Sequence, residues 1–143
     1  MTDKWGRRLF KTGAAVLVLL GLVHSLSLIQ KPLPANDTER QLLDLMANYK
    51  FNLMGSLRGM ADLMQGFSAS FTVAALGLGV LDLSLARERA GLLKRVALIN
   101  TIWLVATTAI SLHYFFAAPT SFLAVALMIF ALAWLKLPAE GTT

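Results

Sequence analysis

Apolar residues in this chain come in long runs, and charged or helix-breaking residues are confined to the short stretches between them. Four runs, at about residues 11–30, 56–86, 95–117 and 119–137, are each long enough for a helix to cross a bilayer's hydrocarbon core. The first follows Lys4, Arg7, Arg8 and Lys11 and is stopped by Lys31, Pro32 and Pro34. Its start is like that of a secretory signal peptide, but an apolar core of about 18 residues exceeds the usual ~7–15 and suits a spanning helix.

Between the first two runs the period changes. Asn36-Asp37-Thr38-Glu39 reads as a capped helix start, with Asn36 or Asp37 as the cap. Leu42, Met46, Tyr49, Leu53 and Leu57 then recur every three or four residues, opposite Arg40, Asp44, Asn48 and Asn52. This predicts an amphipathic helix over about 37–54 that either covers the mouth of the bundle or lies in the membrane interface. Near Gly55 the chain is expected to bend into the second spanning helix. The expected fold is therefore all-α: one integral membrane domain over residues 1–143, a four-helix bundle with an outer-surface helix between its first two spans.

Composition agrees: 57% of residues are hydrophobic, 15% are charged and mean hydropathy is +0.65, too apolar for an ordinary soluble domain. The net charge of +5 sits in short groups flanking the apolar runs, which favours lipid headgroups over nucleic acid as partner. With no cysteine, disulfides, thiol chemistry and cysteine-ligated metals drop out. Lys and Arg number nine on the side of the termini and the 86–95 link, against four in residues 31–65. That bias puts both termini in the cytoplasm, in a multi-pass protein of the inner (cytoplasmic) membrane.

Ionisable residues at membrane depth are costly and are functional candidates by default. His24 lies 13 residues beyond Lys11, or about 20 Å along a helix, and His113 lies 18 beyond Arg95, or about 27 Å. Arg58, Asp62 and Gln65 enter from the same outer end, so five polar side chains are candidates for one ligand pocket there. Each also has a structural reading. Arg58 and Asp62, four apart, form an ion pair if the helix runs through both. His24 can donate to a neighbouring carbonyl, His113 beside Tyr114 suits an interface, and Asp82 suits a pair with Arg87 or Arg89.

The spacing Arg58, Asp62, Gly66-Phe67, in a chain of four spans with a histidine in its first helix, resembles the DoxX-like small integral membrane proteins. The resemblance implies a four-helix fold and association with quinone-linked redox partners in the membrane, and it supplies no catalytic residue. Three functions stay open. The first is a non-enzymatic accessory or oligomeric bundle with an outer polar pocket for a lipid or quinone headgroup, requiring no metal and no fixed cofactor. The second is a haem b carrier ligated by His24 and His113. The third is an enzyme acting on a lipophilic substrate, with His24 or Asp62 as acid or base.

Overall fold

A computed structural model describes residues 2–139. Helix α1 spans Thr2–Ser27, α2 Asp37–Asn48, α3 Met60–Leu85, α4 Ala90–Tyr114 and α5 Ala117–Lys136. A hairpin of β1 (Phe51–Leu53) and β2 (Ser56–Arg58) lies between α2 and α3. The helices α1, α3, α4 and α5 are long and apolar enough to cross a membrane. They also carry large apolar side chains outward along their length, among them Leu22, Val80, Ile102 and Met128. Lipid solvates such a surface, whereas water does not tolerate one this extensive.

The expected spans recur with shifted ends. Helix α1 runs back through the basic amino-terminal residues, and α4 starts at Ala90, five residues before the expected start. Leaving the hydrocarbon does not end a helix, because backbone groups still need partners at the headgroup level. Pro119, where the fourth run begins, sits in the first turn of α5, where its missing N–H has no intrahelical acceptor to lose.

The largest difference falls at residues 51–58, where the expected end of the amphipathic helix and start of the second span are replaced by the hairpin. Its register pairs Phe51 with Arg58 and Leu53 with Ser56, leaving Met54 and Gly55 as a two-residue turn. Both take positive φ, 50° and 93°, as the turn that matches strand twist requires. Asn52 Oδ1 accepts from Gly55 N at 2.7 Å and closes it. The cap of α2 is Asn36, whose side chain accepts from Glu39 N at 2.9 Å while Glu39 Oε2 accepts from Ala35 N at 2.6 Å.

In the bundle, α1 packs along both α3 and α5, and α4 packs along α5. The core is Phe10, Leu17, Leu93, Leu104, Leu123 and Phe130 with alanines between them, and Phe10 meets Phe130 edge-on at 5.6 Å. The α1–α3 seam is tight enough to require glycine. A Cβ at Gly79 would lie 2.7 Å from Val18 Cγ2, 2.8 Å from Val18 N and 2.9 Å from the Ala14 carbonyl oxygen. At the end opposite α2, Arg7 donates to the Glu88 carbonyl at 2.6 Å and Lys94 to the Leu137 carbonyl at 2.7 Å. These long cations fasten the α3–α4 turn and complement the last carbonyls of α5.

Candidate functional site

The five residues expected in one pocket are carried by β2 (Arg58), α3 (Asp62 and Gln65), α1 (His24) and α4 (His113). Arg58 is exposed on β2, where its guanidinium donates at 3.3 Å to the carbonyl of Leu57. Because the chain is extended at Arg58, the helical spacing to Asp62 is lost, and the expected Arg58–Asp62 ion pair is replaced by another. Asp62 Oδ2 takes Lys50 Nζ at 2.7 Å and the Gly59 N–H at 2.8 Å. The carboxylate therefore caps α3 and fastens the end of the hairpin module to it. The fit is close, since a Cβ at Gly59 would lie 2.9 Å from the Met46 carbonyl oxygen and 3.0 Å from Lys50 Nζ. Gln65, one turn further on, is exposed.

His24 lies in the last turn of α1, half-buried, with its ring edge-on to Phe71 of α3 at 4.9 Å. Its Nε2 is buried with no hydrogen-bond partner, so the expected bond to a neighbouring carbonyl is not made by that nitrogen. His113 is exposed at the end of α4 and stacks edge-on against its chain neighbour Tyr114 at 4.5 Å. Ligation of one haem iron by both histidines needs the imidazoles to face a common slot. His24 rests against Phe71 of α3, and His113 lies exposed beside Tyr114. Among the described residues no group of three or more His, Cys, Asp or Glu is placed to hold a metal ion.

Among the polar contacts inside the bundle, Asn100 and Ser111 each bond to another helix, and the partner of Asp82 differs from the one its sequence position suggests. Asp82 is fully buried and pairs not with Arg87 or Arg89 but with Asn100 of α4, whose Nδ2 donates to Oδ2 at 2.6 Å. Its Oδ1 has no hydrogen-bond partner. The helical pattern carries the signal for this. Thr72, Ala75, Gly79 and Asp82 recur at three and four residues and form the buried face of α3, so Asp82 belongs inside. On α4 the same holds for Asn100, Leu104, Thr108 and Ser111. Thr107 bonds back to the Trp103 carbonyl at 3.0 Å and joins no other helix through that contact.

Toward the α2 end, Ser111 Oγ and Thr120 Oγ1 meet at 2.7 Å across α4 and α5. Thr120 donates to the Phe116 carbonyl at 3.0 Å, which makes Ser111 the donor of the pair. Beside this link an open surface cavity of about 350 Å³, most of its lining side chains exposed, is lined by Leu112, Phe115, Phe116, Ala117, Thr120, Ser121 and Ala124. The Ser121 hydroxyl turns back to the Ala117 carbonyl at 2.8 Å, so the walls offer mainly hydrocarbon and aromatic surface. This cavity and the Lys50–Asp62 pair both lie at the α2 end of the bundle.

Four apolar helices around a sparse set of buried polar contacts define the class: a small helical protein with the build of a multi-pass membrane bundle. Comparison with protein-family models, curated proteins and solved structures found no match to this chain.

Proposed function

We propose that this chain is a small non-enzymatic integral membrane protein, an accessory or oligomeric bundle that holds a lipophilic molecule at its outer end. The observation that carries the reading is the cavity between the end of α4 and the start of α5. Its volume of about 350 Å³ falls within the range of small-molecule sites, and its lining suits an acyl chain or a quinone ring. The headgroup then lies in the zone of Tyr114 and His113, both exposed at the same helix end.

In this reading both termini face the cytoplasm, following the nine-to-four bias of Lys and Arg, and the bilayer is the cytoplasmic membrane. Helix α2 is the amphipathic helix of the outer surface, attached to the head of α3. Arg58, exposed beside that attachment, is the cation available to a phosphate or carbonyl oxygen. A quinone-linked partner rests on the DoxX-like resemblance of Arg58, Asp62 and Gly66-Phe67.

The test is mass spectrometry of lipids and quinones retained by protein purified in mild detergent. Ala124→Phe, which fills the cavity, is expected to lose the retained molecule, while Val125→Phe, on the exposed side of α5, keeps it. Full retention by the Ala124→Phe protein contradicts the reading.

A further inference from the structure

Helix α2 is 12 residues long and buries none of them fully, although beyond Thr38 and Glu39 of its first turn its sequence divides into two faces. Asp37, Arg40, Gln41, Asp44 and Asn48 form one side, and Leu42, Leu43, Leu45, Met46 and the following Tyr49 form the other. A helix this short is marginal alone in water and depends on packing of its apolar face. Only part of that face is covered. Leu43 and Met46 are half-buried, whereas Leu42, Leu45 and Tyr49 are 54%, 63% and 67% exposed.

Two observations indicate what covers the open half. The first is position. Lys50, two residues past the end of α2, bonds Asp62 in the first turn of α3, so α2 ends level with the point where α3 begins. The exposed apolar residues continue from there along α3 as Met60, Met64 and Phe67, the surface that faces lipid if α3 crosses the bilayer. The second is charge. Residues 31–65 hold Lys31, Arg40, Lys50 and Arg58 against Asp37, Glu39, Asp44 and Asp62, a net charge of zero. A segment of that balance has no electrostatic pull toward anionic lipid, and its attachment comes from apolar insertion.

We infer that Leu42, Leu45 and Tyr49 are seated in the boundary between headgroups and acyl chains of the leaflet on the α2 side. The partner of α2 is thus the lipid surface, and the segment lies in the membrane plane as a continuation of α3's lipid-facing band. The inference rests on the membrane-spanning reading but not on the cavity between α4 and α5. Full lipid retention by the Ala124→Phe protein, which contradicts the cavity reading, leaves it standing.

The absence of cysteine makes site-directed spin labelling direct. The full chain carrying a nitroxide at Leu45→Cys or at Asp44→Cys is placed in nanodiscs of phosphatidylcholine, with and without phosphatidylglycerol. Relaxation by oxygen, which concentrates in lipid, is compared with relaxation by an aqueous nickel chelate. The oxygen-to-nickel ratio is expected to be several-fold higher at Leu45→Cys than at Asp44→Cys, and unchanged by phosphatidylglycerol. Equal ratios at the two positions overturn the inference. So does a Leu45→Cys label shielded from both reagents, the signature of cover by a second copy of the chain. Deeper burial on adding phosphatidylglycerol contradicts attachment by apolar insertion alone.

Discussion

Lys50 Nζ and Asp62 Oδ2 are 2.7 Å apart although 12 residues separate them, and this contact ties the segment outside the bundle to the first turn of α3. Asp62 also accepts the Gly59 N–H, so one carboxylate both caps the helix and anchors the module. Asp62→Ala is expected to release α2 and the hairpin while leaving the bundle intact. Hydrogen exchange should rise over residues 37–62 and stay unchanged over α4 and α5. A uniform rise along the chain would contradict a local anchor.

The second expectation concerns Asp82 and Asn100. Removing the amide leaves the buried carboxyl without its one donor, and unsatisfied buried groups cost about 1–3 kcal/mol. Asn100→Ala is therefore expected to lower thermal stability in detergent clearly. Asp82→Asn keeps an acceptor for the Asn100 amide and should cost less. The pair is internal, so the ranking should survive a change of detergent. A reversed ranking would mean that Asn100 is not the group holding Asp82.

Two glycines of α3 that read alike in sequence are expected to behave in opposite ways. A Cβ at Gly79 collides with the backbone of α1, and such overpacking costs about 1–3 kcal/mol. A Cβ at Gly77 meets nothing within 4 Å. Gly79→Ala should weaken the α1–α3 seam, whereas Gly77→Ala should be neutral or stabilising, since alanine favours helix over glycine by about 1 kcal/mol. Thermal melts of the two variants in one detergent decide this. Equal melts would place the seam elsewhere on α3.

At the hairpin tip Met54 takes a left-handed conformation that non-glycine residues other than Asn and Asp seldom adopt. Met54→Asn is expected to raise hydrogen-exchange protection of the Asn52–Leu57 pairing. Met54→Val should lower it. Indifference to both would argue against the turn.

Much of the fold was legible because hydropathy acts over whole helices. Runs of apolar residues closed by Pro32 and Pro34, or by Arg87 and Arg89, show a span whatever its neighbours are. The hairpin was hidden because Leu53 and Leu57, four apart, continue the helical stripe of Leu42, Met46 and Tyr49 while also fitting short strands. The competing signal is local: Asn52 and Gly55 bracket a turn, and Gly59 breaks any helix through it. Misplacing Arg58 on a helix then produced the wrong partner for Asp62, since Lys50 comes within reach only when the chain doubles back. For Asp82, nearness to Arg87 and Arg89 outweighed a stripe of buried positions that pointed inward. The cavity between α4 and α5 depends on how Phe115 and Phe116 splay at a turn, which periodicity does not encode.

The central claim is a bundle crossing the bilayer four times, with α2 and its hairpin on one side and the termini and α3–α4 turn on the other. Because the sequence holds no cysteine, single-cysteine variants report topology without background. Thr38→Cys, ahead of the apolar stripe of α2, and Glu88→Cys, in the α3–α4 turn, are both exposed. In intact spheroplasts, a membrane-impermeant maleimide should label Thr38→Cys at once and Glu88→Cys only after permeabilisation. Labelling of both positions from the same side would contradict the account.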